Sequence, residues 1–180
     1  MNPKRLRQLL LVIIIALLGL GIVAVYSASA MASNVTYGGS MHFVVNHLAG
    51  ILLGLALGVA CLMIPYDLLR TSAKWLFVTS VVLLVLVGLF GETVGGAKRW
   101  FHFGRFSVQP SEFAQLALVL YLADVLARRS DALHDFWRGL APPLAATGIA
   151  AGMVLMQPDL GTAIAMGSVA MLLLGVAKAR

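Results

Sequence analysis

Charge is what this 180-residue chain has least of. Asp and Glu number 7, Lys and Arg 13, and charged residues make up 11% of the total, less than half of the roughly 25% usual in soluble domains. Hydrophobic residues reach 61%, against about 45–50% ordinarily, and the mean hydropathy is +0.95. Such a chain cannot cover a water-facing exterior, so its solvent is a bilayer. Cysteine is nearly missing: Cys61 stands alone, which excludes an intramolecular disulfide and leaves the redox compartment unreadable. The 4 histidines carry no metal-ligand spacing. His42 and His47 do not share a helix face, and His102 and His134 fall in segments on opposite sides of the membrane. There is no phosphate-binding Walker loop, no Gly-x-Gly-x-x-Gly after a strand and no Gly-x-Ser-x-Gly elbow, so nothing points to nucleotide chemistry. The net charge of +6 invites nucleic acid as a partner, but the cations stand in twos and threes at the ends of apolar runs. That pattern belongs to membrane topology, and no nucleic acid is expected.

What the chain has in abundance is long apolar runs. Six are marked, at about 9–26, 43–64, 74–90, 109–127, 140–156 and 160–177. Spanning the hydrocarbon takes roughly 17–25 residues, so an all-α, polytopic fold of about six transmembrane helices joined by short loops is expected, as a single domain over 1–180. The fourth run carries Glu112 and Asp124 and spans only if neighbouring helices bury it. The N-terminal "MNPKRLR", apolar stretch and "SASAMAS" imitate a secretory signal. That run is longer than the about 7–15 residues of a signal core, so an uncleaved first helix is expected. The sequon Asn34-Val35-Thr36 matters only in a glycosylating pathway, which nothing else requires.

Orientation follows from where the cations fall. With the N-terminus inside, the cytoplasmic segments hold ten: Lys4, Arg5, Arg7, Arg70, Lys74, Arg128, Arg129, Arg138, Lys178 and Arg180. The outer segments hold three, Lys98, Arg99 and Arg105. The bias places the N-terminus in the cytoplasm. The stretch "GGAKRWFHFGRFSVQPSEF" at 95–113 then faces outward, with its three cations against the topological grain. Either they pair with Glu92 and anionic headgroups and anchor the loop, or they hold something.

Two stretches share a Gln-Pro corner: Gln109-Pro110-Ser111-Glu112 and Gln157-Pro158-Asp159-Leu160-Gly161. Proline suits the first helical position and an acid suits the first turn, so both read as helix starts. With Gln109 as N-cap, Glu112 falls where a capping box would place it. The functional reading sets Glu112, Asp159 and the three cations at one depth on one face, lining a polar pocket open to the outside. Trp100, Phe101 and Phe103 would stand at headgroup level there. Such a pocket suits an amphiphile with an anionic head and a lipid tail. Two further features read as scaffold. Gly50, Gly54 and Gly58 form a small-xxx-small ridge for close helix packing, and Asp124 precedes Arg128 by four residues as a helix-surface pair.

"GAKRWFHFGRFSVQPSEFAQLALVLYLADVLARR", then "MQPDLGTAI", and "GIVAVYSASA" at 21–30, resemble the shape, elongation, division and sporulation family, the FtsW and RodA group of bacterial membrane proteins. The likeness runs over nearly the whole chain. The arginine-rich link after the fourth helix and "FWRGLAPPL" lean towards the FtsW branch.

The resemblance implies a peptidoglycan glycosyltransferase of about ten transmembrane helices. Such an enzyme polymerises lipid II, an undecaprenyl-diphosphate-linked disaccharide peptide, at the outer face of the cytoplasmic membrane during division or elongation. It implies a class B penicillin-binding transpeptidase and other divisome or elongasome membrane proteins as partners. The chemistry needs a base for the attacking hydroxyl and positive charge for the departing diphosphate. Lys98, Arg99 and Arg105 answer the second need, Arg99 foremost for its bidentate fork. Gln109, Glu112, Gln157 and Asp159 would orient the cations or line the sugar site. A divalent cation beside the diphosphate stays open, and no metal ligand set is assigned.

The family's essential aspartate lies in a large outer loop downstream of the Gln-Pro-Asp motif, beyond Arg180. No catalytic residue is therefore assigned here, and these 180 residues alone are expected to be inactive, an N-terminal part of the domain. The family commonly has Lys three residues after the Glu of Gln-Pro-Ser-Glu. Gln115 stands there instead, so Glu112 needs another cation, such as Arg99 or Arg105, or is partly protonated if buried. Two other readings are a lipid II transporter, disfavoured by an apolar midplane, and a non-catalytic scaffold for a division transpeptidase.

Overall fold

The computed structural model describes residues 3–36, 41–94, 96–103, 106–129 and 132–178. Among them, six helices are long and apolar enough to cross a membrane. The chain divides into two compact units, one up to Ile64 and one from Pro65 onwards.

In the first unit, α1 (Pro3–Thr36) and α2 (Met41–Leu62) form a helix pair. Helix α1 carries proline only at its first position, where the missing N–H costs nothing. It outruns the expected 9–26 at both ends because the small residues after Tyr26 do not stop a helix. The two helices approach at Gly21, where an added Cβ would stand 3.6 Å from His47 Nε2. The expected glycine ridge is not the contact. A Cβ at Gly50, Gly54 or Gly58 would meet nothing within 4 Å, so spacing alone did not tell which face of α2 meets its neighbour.

The second unit holds α3 (Tyr66–Phe90), α4 (Pro110–Arg128), α5 (Ala141–Met156) and α6 (Leu160–Lys178). A π-helical turn, Phe136–Leu140, leads into α5, and the Asp135 carboxylate caps it by accepting from the Trp137 and Arg138 amides. Within this unit the helices lie within a few residues of the expected runs except α3, which starts eight residues before the expected 74. Pro65 precedes it and Asp67 lies in its first turn, so the start signals outweigh the polar Arg70 and Lys74.

Leu84, Leu118, Leu122, Val154 and Met166 form the centre of the core, and Phe77 stacks on Tyr121 at 4.8 Å. Ala114, Ala146 and Ala150 let the helix backbones close up around them. In lipid this gain is mainly close packing, since hydrocarbon tails solvate Leu as well as another Leu does. Ser80, fully buried, donates to its own helix at the Phe77 carbonyl, 2.7 Å away.

Between α3 and α4 the chain forms a β-ribbon where the sequence reading expected only a loop. Strands β1 (Glu92–Val94), β2 (Ala97–Phe103) and β3 (Phe106–Val108) run antiparallel in the order β1-β2-β3. Val94 pairs with Ala97 and Phe103 with Phe106, so both connections are two-residue hairpins. Gly96 takes φ 83° in the first, a conformation that favours glycine. The Gly95-Gly96 pair before a run rich in aromatics was a legible hairpin signal. Ahead of the ribbon, the Gly91 amide closes α3 by donating to the Val87 carbonyl at 2.8 Å, and a Cβ on Gly91 would collide with that same oxygen.

Candidate functional site

The C-terminal ends of α3 and α5, the N-terminal ends of α4 and α6, and the ribbon meet at one end of the second unit. The two Gln-Pro corners are bonded to each other there. Asp159 caps α6: one carboxylate oxygen accepts from the Thr162 amide at 3.1 Å, and the other from the Thr162 hydroxyl at 2.9 Å. That second oxygen also accepts from the Gln109 side-chain amide at 3.0 Å, across to the start of α4. The Gln109 amide donates to Ser111 Oγ as well, at 2.9 Å. The expected capping box at Gln109 is therefore not made. The Gln109 side chain accepts from no backbone N–H of its own helix; its amide is turned across to the Asp159 carboxylate instead. Gln157 is buried, and its amide donates to the Leu84 carbonyl of α3 at 3.0 Å.

Glu112 projects from the first turn of α4 as an exposed side chain, without an ion-pair partner among the described residues. Glu112 is therefore not buried, as the alternative reading required. Glu92 pairs with His102, Oε2 to Nδ1 at 3.1 Å, across β1 and β2, and neither Lys98 nor Arg99 is its ion-pair partner among the described residues. Arg105 lies outside those residues. Asp159 thus accepts from three donors, one on Gln109 and two on Thr162.

Lys98 and Arg99 do not form one clamp. Arg99 is the extra residue of a β-bulge, since Thr93 pairs with Lys98 and Glu92 with Trp100, and of the two cations only Lys98 lines the cleft beside it. Lys98 is exposed, and its ammonium reaches the Leu89 carbonyl in the last turn of α3 at 3.5 Å, where the helix dipole favours a cation. It lines a cleft of about 300 Å³ with Gly96, Gln157 and Pro158. An apolar cleft of about 310 Å³, walled by Leu84, Val85, Leu89 and Met153, shares Gly88, Met156 and Gln157 with it. A charged mouth thus runs into an oily trough. Further along β2, Phe101 lines a second apolar groove of about 440 Å³ between α3 and α4 with Leu83, Pro110 and Phe113. Arg99 Nε is buried without an acceptor among the described residues, a donor that an anionic oxygen would satisfy.

At the opposite end of the helices, the expected Asp124–Arg128 pair is present at 2.7 Å and has a third member. Arg70 of α3 donates to the same Asp124 oxygen at 3.0 Å. Position along α4 predicts the first pair; only helix packing brings Arg70.

A sequence profile of the family described as "Cell cycle protein", covering FtsW, RodA and SpoVE, matches residues 7–180. The chain is 37% identical over 160 residues to the probable peptidoglycan glycosyltransferase FtsW of Bacillus subtilis, covering 87% of this chain and 40% of that protein. It is 36% identical over 165 residues to its namesake in Pseudomonas fluorescens, covering 89% and 40%. Among solved structures, the rod shape determining protein RodA of Thermus thermophilus superposes with a TM-score of 0.70 at 28% identity, over 89% of this chain and 52% of that one. A peptidoglycan synthase complex, described as coordinating polymerization and crosslinking, superposes with a TM-score of 0.63 at 32% identity, over 81% and 44%. The chain spans about two fifths of the length of these curated relatives. With its spanning helices, it is a multi-pass membrane protein.

Proposed function

Because the chain belongs to the FtsW/RodA/SpoVE family of cell cycle proteins, we propose that its whole protein polymerises lipid II into glycan strands as a peptidoglycan glycosyltransferase. The ribbon end of the helices is then the outer end, and the N-terminus is cytoplasmic. The observation that carries the reading is the two-part cleft, with the Lys98 ammonium at a polar mouth that continues into an apolar trough along Leu84, Val85 and Leu89. A diphosphate on a polyprenyl tail has that division of polar and apolar parts. Lys98 meets the diphosphate, Arg99 offers its unsatisfied Nε to a second oxygen, and the bonded pair Gln109–Asp159 holds the corner rigid beside them. The relative in the synthase complex supports a crosslinking transpeptidase, of the class B penicillin-binding type, as the partner of the whole protein.

The test is the affinity of the whole protein for fluorescent lipid II in detergent micelles, measured for Lys98→Ala and Arg99→Ala. A charge-assisted hydrogen bond contributes about 1.5–3 kcal/mol, so each variant should bind roughly ten- to a hundredfold more weakly, with an unchanged unfolding temperature. Undiminished binding by both variants would remove the reading.

A further inference from the structure

The end of the second unit away from the ribbon carries a second charged cleft, which the glycosyltransferase reading does not use. It lies between the start of α3 and the end of α4 and has a volume of about 380 Å³. Arg70, Lys74, Arg128 and Arg129 line it with Tyr121, against the single carboxylate of Asp124. That carboxylate is committed: Arg70 and Arg128 both bond it through their Nε atoms. The bracing fixes the two guanidinium planes while their terminal nitrogens stay out of the bond. The Asp124 side chain is 13% exposed but those of Arg70 and Arg128 are 39% and 56% exposed, so the cations face outward over a covered anion. Arg129 donates one terminal nitrogen to the Arg138 carbonyl at 2.7 Å, which ties the turn before α5 to the rim.

Depth separates this cleft from a diffuse cationic surface. Trp75 of α3 is 67% exposed, and Lys74 Nζ stands 5.9 Å from its ring centroid. It lies five residues on from Arg70, about 7.5 Å along the axis at 1.5 Å per residue. At the same end Phe136 and Trp137 stack edge to face, both exposed. Exposed tryptophans of membrane helices collect at the boundary between headgroups and acyl chains. The cations therefore sit at headgroup height, with apolar flanks such as Leu68 and Val78 exposed beside them to receive acyl chains.

We infer that this cleft is a binding site for the phosphate head of an anionic phospholipid of the leaflet at that end. Basic pockets between transmembrane helices on the cytoplasmic side are suited to such heads, and each cation contributes roughly a fivefold gain in affinity. Four cations converging on one opening, two of them locked by Asp124, make a preorganised phosphate cradle. The exposed tryptophan beside it favours a lipid over a soluble phosphate.

The experiment reads Trp75 fluorescence in the full chain carrying Trp100→Phe and Trp137→Phe, in phosphatidylcholine nanodiscs with rising fractions of acyl-brominated phosphatidylglycerol. Half-maximal quenching should come at a several-fold lower mole fraction than with brominated phosphatidylcholine. Lys74→Gln with Arg129→Gln leaves the Arg70–Asp124–Arg128 brace intact and should raise that fraction most of the way to the brominated-phosphatidylcholine value. The pair Lys74→Arg with Arg129→Lys should keep the wild-type value, which shows that charge and not folding is being read. Arg5→Gln with Arg7→Gln removes the same charge from α1 and should change the value less than twofold. Equal quenching by the two lipids overturns the inference, as does an equal effect of the α1 variant. Loss of the preference on adding millimolar inorganic phosphate overturns the lipid assignment in favour of a soluble phosphate.

Discussion

Gln109 and Asp159, fifty residues apart, are joined by a 3.0 Å hydrogen bond from the amide of one Gln-Pro corner to the carboxylate of the other. The bond locks the start of α4 to the start of α6. A neutral donor on a carboxylate contributes about 1.5–3 kcal/mol, and the Asp159 cap on Thr162 adds about 1 kcal/mol. Asp159→Ala should therefore destabilise more than Gln109→Ala. A double-mutant cycle read by thermal unfolding in detergent should show a coupling of about 0.5–3 kcal/mol. Strict additivity would mean that the bond does not hold the corners together.

Gln157 is a candidate substrate residue by sequence, yet its amide is spent on the Leu84 carbonyl inside the unit. Gln157→Leu forfeits one hydrogen bond, about 1 kcal/mol. Gln157→Glu sets a buried carboxylate against a carbonyl oxygen and should cost clearly more. If the glutamate variant unfolds at the same temperature as wild type, the side chain does not occupy that position.

The Asp124 brace joins α3 to α4. Asp124→Asn keeps the shape and removes the charge between Arg70 and Arg128. The carboxylate is mostly covered but both cations are half in solvent, so the expected loss lies between the exposed and buried limits, roughly 1–3 kcal/mol. The same substitution in an Arg70→Gln background should lose less, because one of the two stranded cations is gone. Equilibrium unfolding of the four variants checks this.

Gly139 has no room for a side chain, since an added Cβ would overlap the Ala132 carbonyl oxygen and stand 2.7 Å from the Leu133 Cα. Gly139→Ala must push the π-helical turn away from the preceding link, at about 1–3 kcal/mol. Gly148→Ala, with nothing within 4 Å, should be neutral or stabilising. Equal unfolding temperatures for the two variants would contradict the packing of that turn.

Topology is open to direct labelling. In a Cys61→Ser background, Thr93→Cys on the exposed face of β1 should react with a membrane-impermeant maleimide added to intact cells, and Thr71→Cys only after permeabilisation. The reverse pattern would invert the orientation and move the proposed substrate cleft to the cytoplasm.

The six spans, their order and the proline-led start of α4 were legible in the chain, because hydropathy, length and cap chemistry are local quantities; at the second Gln-Pro corner α6 begins only at Leu160, two residues after Pro158. So was the Asp124–Arg128 pair, fixed by helical spacing. The family itself was legible from the Gln-Pro motifs. What tertiary structure decided is how polar groups pair across elements. A carboxylate accepts from whichever donor packing brings near, so Asp159 found Gln109 and Thr162, Asp124 gained Arg70, and Gln157 reached the Leu84 carbonyl. The loop cations looked alike in sequence. The fold separated them: Lys98 reaches the Leu89 carbonyl and lines the cleft at the end of α3, while Arg99 stands at the bulge of β2 and does not line it. That separation depends on the loop folding as a strand, a choice stabilised by cross-strand pairing that no single stretch of residues contains.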